Sequence, residues 1–251
     1  MKVYGGCASD VGTTREVNQD AVLFRMKTEK KAIMSLLAVC DGIGGMSHGE
    51  VASSIIRDLM DRWFDEITEW VDPGNVDAQL VWSNVKDAAE SWNAELVAFK
   101  KNQQLQTGTT MSLFMQIMDE YFIVQVGDSR VYLYRNDELF QLTVDASVTR
   151  FKSGRMKNYL DNYMGKSDEL RFTTVSGTIE SGDAFLVCSD GFYHNLSPMD
   201  LQSIPEGIRK DSDVENLCER LIAEMMRRGE RDNISAAMIV FPESRGFWKK
   251  Q

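Results

Sequence analysis

The chain has 251 residues, 43% hydrophobic and 26% charged, so it is long and apolar enough to bury a sizeable core. Its formal net charge of -10 argues against a nucleic-acid-binding surface, which would need a basic face. No run approaches the roughly 18 apolar residues of a membrane span, and the N-terminus lacks a signal-peptide pattern. The four cysteines lie far apart without CxxC spacing, which is typical of reduced core thiols. We therefore expect a cytoplasmic protein that binds neither nucleic acid nor membrane.

The first half of the chain changes from strand-like to helical patterns. Apolar runs that predict strands lie at 3–9, 21–26 and 31–40. Apolar residues then recur at helical spacing over 51–67, up to a turn sequence at 72–75. A second amphipathic stripe over 80–97 predicts another helix.

Short strands return after Gly108, with turn residues between neighbours that favour antiparallel hairpins. The predicted strands are 109–118, 121–126, 130–135, 138–143, 182–189 and 234–241. The segment from about 145 to 170 is polar and weakly periodic, which predicts a mobile surface excursion. A last helix is predicted from Ser212, whose SDVE sequence suggests a capping box, to just before Gly229. The order indicates a single α+β domain over 1–251, with helices covering antiparallel sheets.

Aspartates mark the points where several strand-like runs meet turns. They are Asp20, Asp41, Asp128, Asp190 and Asp232, and all but the first stand beside Gly or Asn. Matching positions suggest that the carboxylates line one end of a layered sheet structure. Oxygen-rich sites suit Mg²⁺ or Mn²⁺ rather than soft metals, so the pattern predicts a metal-dependent hydrolase.

Read in order, these segments resemble the metal-dependent protein phosphatase family (PPM, type 2C), in its bacterial form. The motifs are SDVGTTREVNQDA, DGIGGMSHGEVAS, TGTT, VGDSRVYLY followed by LFQLTVDAS, CSDGF and RDNIS. Each motif alone is weak evidence of the family. The resemblance rests on the order of the motifs and on the gaps between them. It implies a protein serine/threonine phosphatase built as an antiparallel β-sandwich with helices on both sides, a four-layer α-β-β-α arrangement with the metal site at one end.

The resemblance also implies roles for the acidic residues. Two Mn²⁺ or Mg²⁺ ions would activate the attacking water and clamp the phosphoryl oxygens. Asp41 would bridge them, the carbonyl of Gly42 would serve the second ion, and Asp190 and Asp232 would complete the first. Asp128 would hold a looser third ion together with Asp190. These carboxylates are the expected metal ligands, and Asp41, Asp190 and Asp232 are the expected catalytic residues.

Two further positions follow from the same motifs. Asp20 would orient water from behind the metal ligands. Arg15 matches a phosphate-binding position, where a guanidinium fork suits two phosphoryl oxygens. A lone Arg in a turn is more often only solvated, so the alternative for Arg15 is an exposed surface residue.

Some positions depart from the family pattern. Ile43 stands where some members carry a His that would protonate the leaving group, and Gln19 replaces a Glu. TVDAS stands in place of T-x-D-H-S, and the excursion after Asp145 is shorter than the usual flap. Catalysis should survive these changes, whereas substrate preference should differ.

Alternative functions remain open from the sequence. A pseudophosphatase would use the same fold as a phosphoprotein-binding or regulatory module, and the retained aspartates weigh against it. A phosphodiesterase or nuclease is disfavoured by the acidic composition. The expected partners are phosphorylated proteins, the substrates of a serine/threonine protein kinase.

Overall fold

The structure is a computed structural model that describes residues 2–29, 32–43, 46, 48–72, 76–152, 155–166, 169–201 and 207–243. Side chains are described in these ranges except at 29, 70, 149–152 and 155–158. The strands are β1 Tyr4–Asp10, β2 Asp20–Glu29, β3 Ala32–Asp41, β4 Met111–Ile117, β5 Glu120–Val126, β6 Arg130–Arg135, β7 Glu138–Gln141, β8 Ser147–Lys152, β9 Arg155–Leu160, β10 Thr173–Thr178, β11 Ala184–Cys188 and β12 Ile234–Val240. The helices are α1 Gly49–Trp70, α2 Ala78–Gln103, the short α3 Asp190–Tyr193 and α4 Asp211–Arg227, with a 3-10 turn at Pro198–Leu201.

Most strands belong to two five-stranded antiparallel sheets. The first has the order β1-β12-β11-β6-β7 and the second the order β10-β5-β4-β3-β2. The sheets pack face to face over an apolar core. Its centre is aromatic: the rings of Phe114 and Phe185 lie 4.6 Å apart, and Phe241 meets Phe185 edge-on at 6.2 Å. The predicted β-sandwich is confirmed.

Helices cover the outer face of each sheet, which confirms the four-layer arrangement. A second core lies between α1, α2 and the β2–β5 side, where Trp63 and Trp92 pack edge-to-face at 5.7 Å. A third core lies between α4 and the sheet that contains β1 and β12. Amphipathic spacing produces these layers, because each helix buries one apolar stripe against a strand surface.

The start of α4 corrects the capping prediction. The helix begins at Asp211, not at Ser212. The carboxylate of Asp213 accepts hydrogen bonds from the backbone N–H groups of Arg209, at 2.9 Å, and Lys210, at 3.1 Å. The carboxylate that satisfies the free N–H groups of the helix start is therefore that of Asp213.

The excursion after Asp145 is more regular than its weak periodicity predicted. β8 and β9 form a two-stranded antiparallel hairpin. Its base is closed by hydrogen bonds from the backbone N–H of Asp161 to the carbonyl of Ala146, at 2.9 Å, and from the N–H of Ala146 to the carbonyl of Gly127, at 2.8 Å. The backbone ladder supplies order that the side-chain pattern does not reveal. β10, which the sequence did not predict, is an edge strand of small and polar residues.

The four cysteines agree with the prediction of reduced core thiols. Cys40, Cys188 and Cys218 are buried and Cys7 is partly buried, and all four are free. Within the described ranges, the helices lack the length of continuous apolar sequence needed to cross a membrane.

Candidate active site

Carboxylates from both sheets meet at one end of the sandwich. Asp20 begins β2 and stands directly opposite Asp41, the last residue of β3. Asp190 starts α3 immediately after β11, and Asp232 lies just before β12. Asp128 occupies the turn between β5 and β6. The pKa of the Asp41 carboxyl is influenced by all four of the other carboxyl groups, so the structure brings the five predicted residues together.

Burial and mutual repulsion make this cluster hard to ionise. Burial, followed by the charge of Asp190, raises the pKa of Asp128 to about 6. Burial raises the pKa of Asp20 to about 7, and that of Asp41 well above its ordinary value. The pKa of Asp190 is also raised, chiefly by burial. Like charges withdrawn from water favour the protonated form, and a nearby cation would reverse this effect.

Among the described aspartates of the cluster, Asp20 is the one whose buried carboxyl oxygens lack hydrogen-bond donors. Both of its carboxyl oxygens are buried and accept no hydrogen bond from the described residues. The hydroxyls of Ser189 and Ser235 face it and lower its pKa, but they are not in hydrogen-bonding geometry. A buried carboxylate without donors calls for a partner that the protein does not itself provide, such as ordered water or a cation.

The backbone at Asp41 is held rigidly by two threonines. The hydroxyl of Thr110 accepts a hydrogen bond from the N–H of Asp41 at 2.9 Å, and the hydroxyl of Thr109 donates to its carbonyl at 2.9 Å. Thr110 also shares a 2.7 Å hydrogen bond with Ser129, the residue after Asp128. These contacts join the end of β3 to the β5–β6 turn and fix the two aspartates relative to each other.

Glycine is required at two close backbone contacts beside the aspartates. A Cβ on Gly42 would stand 2.5 Å from the carbonyl oxygen of Gln19 and 2.6 Å from the backbone of Gly49. A Cβ on Gly191 would stand 2.2 Å from the carbonyl oxygen of Asn233. Only glycine at these positions lets the Asp41 and Asp190 turns approach their neighbours. Gly44 and Gly45, which follow in the same motif, lie outside the described residues.

Asp232 is engaged on both oxygens. Its Oδ1 accepts a hydrogen bond from the backbone N–H of Asn233 at 2.8 Å, and its Oδ2 accepts one from Nη2 of Arg15 at 2.7 Å. The Arg15 side chain is 40% exposed and that of Asp232 is 37% exposed. Arg15 is therefore at the site, as the sequence predicted, but it contacts a carboxylate.

The carboxylate oxygens of this site are ligands that suit a hard divalent cation, although the side chains are not positioned to bind one together. Within the parts of the chain that the structure describes, no three acidic, histidine or cysteine side chains are arranged closely enough to hold an ion together. The buried, unpartnered oxygens of Asp20 and the carboxylate chemistry of the cluster nevertheless fit Mg²⁺ or Mn²⁺. One reason that the carboxylates are not gathered around a single point is that Asp232 is paired with Arg15.

Several residues that the sequence reading passed over support the site. The side chain of Asn233 donates to the carbonyls of Val11 and Val17 and accepts from the backbone N–H of Gln19, so it pins the 11–19 loop beside Asp232. The side chain of Asn18 accepts from the backbone N–H of Asp20 at 3.1 Å. Asn233 directly follows Asp232 and Asn18 lies two residues before Asp20, and this proximity to motif aspartates is the signal that marks them.

The departures from the family pattern have structural counterparts. The side-chain amide of Gln19 donates to Glu50 at 3.2 Å, so Gln19 ties the 11–19 loop to the start of α1. In TVDAS, Asp145 accepts a forked pair of hydrogen bonds from Arg130, at 2.9 and 2.7 Å. The Arg130 guanidinium also lies 3.6 Å over the ring of Tyr193 in α3. Arg130 thus joins the hairpin base, the turn after Asp128 and the helix that starts at Asp190.

Comparisons with known proteins agree with this architecture. The sequence model of the family described as "Protein phosphatase 2C" matches residues 13–239. The chain is 27% identical over 258 residues to protein phosphatase PhpP of Streptococcus pneumoniae, covering 94% of this chain and 96% of that protein. A bacterial serine phosphatase has the same fold, with a TM-score of 0.79 at 18% identity over 98% of this chain and 100% of the other. The catalytic domain of serine threonine protein phosphatase PstP, solved in complex with two manganese ions, aligns with a TM-score of 0.72 at 24% identity, over 96% of this chain and 99% of that one.

Proposed function

The chain belongs to the protein phosphatase 2C family, and from that membership we propose that it is a metal-dependent protein serine/threonine phosphatase. Its reaction would be the hydrolysis of phosphoserine and phosphothreonine in proteins. The single observation that carries the proposal is the gathering of five aspartates at one end of the sandwich, two of them directly opposed across β2 and β3. The named relatives, PhpP and the PstP catalytic domain, support the assignment to phosphoprotein substrates.

The proposed cofactors are two divalent ions, Mn²⁺ or Mg²⁺. Asp41 would contact both ions, and the backbone carbonyl of Gly42 would serve one of them. Asp190 and Asp232 would complete the other, while Asp128 and Asp190 would hold a third, weaker ion. When bound, such ions lower the pKa of water to make a nucleophile and neutralise charge on the phosphoryl oxygens.

The chain's own residues would do the remaining work of positioning. The threonine pair 109–110 holds the Asp41 backbone, so the carboxylate stays aimed into the site. The buried carboxyl of Asp20 lies opposite Asp41 across β2 and β3, where it would orient water. Arg15 is exposed enough to reach a bound phosphate, whose oxygens match the guanidinium fork.

The substrates would be proteins phosphorylated by a serine/threonine kinase. The hairpin at 147–160 stands next to the site, because its base is bonded to Gly127, one residue before Asp128. We propose this hairpin as the surface that contacts the protein part of the substrate. Loops and hairpins on a rigid scaffold often carry recognition in this way.

The test is hydrolysis of a phosphothreonine peptide and of p-nitrophenyl phosphate by chelator-stripped protein, with and without added Mn²⁺. We expect no turnover in chelator and recovery on addition of Mn²⁺. Undiminished activity in chelator would exclude the two-ion mechanism. Saturable binding of Mn²⁺ and phosphopeptide without turnover would instead favour the pseudophosphatase alternative.

A further inference from the structure

Arg15 occupies a carboxylate that the proposed function assigns to an ion. Its Nη2 donates to Oδ2 of Asp232 at 2.7 Å, while the other oxygen of Asp232 accepts the N–H of Asn233 at 2.8 Å. Both oxygens of this carboxylate already have a donor. The charges of Asp190 and Asp41 also raise the pKa of the guanidinium, after the leading effect of the Asp232 hydrogen bond, so three of the five carboxylates act on Arg15.

The backbone around Arg15 is anchored, whereas its side chain is free to move. The hydroxyls of Thr13 and Thr14 donate to the carbonyls of Glu230, at 3.3 Å, and Arg231, at 2.5 Å. These hydrogen bonds attach residues 13–15 to the segment that contains Asp232. The Arg15 side chain is 40% exposed and its guanidinium is attached through a flexible stem, so it can leave Asp232 without any backbone rearrangement.

From these contacts, and resting on the proposed function, we infer that Arg15 is an internal competitor of the metal at Asp232. The guanidinium supplies Asp232 with a positive charge from within the chain, the role that an ion would otherwise take. A divalent ion that takes Asp232 displaces Arg15, and the released guanidinium is then available to bind the substrate phosphate. Metal loading and phosphate binding are thereby linked through one side chain, since Arg15 contacts either Asp232 or phosphate.

This competition makes an unusual prediction about affinity. A residue that only binds phosphate would leave Mn²⁺ binding unchanged when it is removed. Removal of a competitor instead tightens Mn²⁺ binding, because Asp232 no longer exchanges one cation for another. The lost ion pair and the lost repulsion between Arg15 and the ion together should tighten binding by roughly tenfold.

The experiment measures Mn²⁺ binding to chelator-stripped protein by calorimetry and by the electron paramagnetic resonance signal of free Mn²⁺, without substrate. Arg15→Ala should bind Mn²⁺ about tenfold more tightly than the parent. Arg227→Ala is the matched control, because Arg227 is also an exposed arginine paired with a carboxylate, Glu224, at 2.6 Å. It should bind Mn²⁺ as the parent does.

A double variant assigns the effect to Asp232. In an Asp232→Asn background, Arg15→Ala should tighten Mn²⁺ binding much less than it does in the parent, since the ion pair is already gone and only the repulsion between Arg15 and the ion is lost. Equal or weaker Mn²⁺ affinity in Arg15→Ala, with saturable binding to the parent, would overturn the competition while leaving the proposed function standing. Absence of saturable Mn²⁺ binding in the parent would overturn both.

The reciprocal effect gives a second readout with inorganic phosphate as the probe. Binding linkage requires that phosphate tighten Mn²⁺ binding by the same factor as Mn²⁺ tightens phosphate binding. That factor should be several-fold larger in the parent than in Arg15→Ala, because only the parent has a guanidinium to release. An equal factor in both proteins would contradict the competition.

Discussion

Asp20 and Asp41 are directly opposed across β2 and β3, which places two carboxyl groups side by side at the end of the sheet. Like charges opposite each other destabilise an antiparallel pair. Burial, ahead of the charges of Asp190 and Asp232, raises the pKa of Asp20 to about 7, and burial followed by the charge of Asp20 raises the pKa of Asp41. The chain keeps this unfavourable pair in the native state, which is expected where a bound cation relieves it.

The first prediction concerns the stability of the metal-free protein as a function of pH. Because the pKa of Asp20 is raised to about 7 in the folded state, the folded protein binds more protons than the unfolded chain between pH values of about 4 and about 7. The contribution of Asp20 to stability is therefore present at the acidic end of this range and is lost as the pH rises. Asp20→Asn should become increasingly more stable than the parent from about pH 5 to about pH 8.

The measurement is urea unfolding in chelator at both pH values. Asp87→Asn, at an exposed position on α2, is the control and should show no such pH-dependent difference. Adding Mn²⁺ should stabilise the parent most at the higher pH. A gap between Asp20→Asn and the parent that is the same at both pH values would contradict the assignment.

A second prediction tests the assignment of Asp41. Asp41→Asn keeps the shape of the side chain and its backbone bonds to Thr109 and Thr110 but removes the charge. We expect kcat on p-nitrophenyl phosphate with Mn²⁺ to fall by roughly a hundredfold or more, as when a transition-state contact is lost. The circular dichroism spectrum should match that of the parent, and turnover near the parent rate would refute the role.

The third prediction compares two arginines of the same strand. Arg130 is forked to Asp145 near the site, and Arg135, at the other end of β6, is forked to the buried Asp183 at 2.8 and 2.6 Å. Replacing either by Lys should lower the free energy of unfolding by about 2 kcal/mol, because a charge-assisted fork is lost. Only Arg130→Lys should also lower kcat/KM, since Arg130 joins the Asp128 turn to Tyr193 in α3.

Thermal melts and steady-state kinetics on the two variants decide this comparison. Activity is measured well below both melting temperatures, so that unfolding does not contribute. Equal losses of kcat/KM in the two variants would show that Arg130 acts through general stability and not through the position of the site.

A fourth prediction distinguishes two effects of replacing a glycine by alanine, which are backbone strain at positive φ and steric contact with Asp232. Gly12 and Gly229 both have positive φ, 75° and 101°, but a Cβ on Gly12 would stand 2.0 Å from the carbonyl oxygen of Asp232, while one on Gly229 would meet nothing within 4 Å. Gly229→Ala should cost about 1 kcal/mol from strain alone. Gly12→Ala should cost more and also weaken Mn²⁺ binding. Unchanged Mn²⁺ affinity in Gly12→Ala would separate the 11–19 loop from the metal site.

Much of the fold could be predicted because its signals are local. The amphipathic spacing of α1 and the turn sequence at 72–75, most of which lies outside the described residues, mark that helix. Apolar runs mark the strands that lead into Asp41 and into the turn that contains Asp128. β8, β9 and β10 were not predicted because they are polar strands near the surface, whose order comes from backbone pairing. The start of α4 was misplaced by one residue because a Ser and an Asp both offer capping groups there, and the Asp is the one used.

The positions of the five aspartates near strand ends could be predicted, but the contacts of these residues could not. Aspartates beside Gly and Asn are visible in the sequence as strand-end positions. The pairing of Arg15 with Asp232 joins residues 217 positions apart, and nothing in either local pattern points to the other. The roles of Asn233 and Arg130 likewise depend on which loops meet in three dimensions.

The pairing of β1 with β12 has a consequence for how the protein is made. Tyr4 lies opposite Val240 and Asp10 opposite Ile234, so nearly the first and the last described segments of the chain form neighbouring strands. During synthesis β1 must wait for every other strand of both sheets before it gains this partner, and such long-range pairing is slow to form. Asp232 reaches Arg15 only when that last strand is in place. A growing chain therefore lacks the complete acidic site until β12 has left the ribosome, and the pairing of β12 with β1 is the event that completes it.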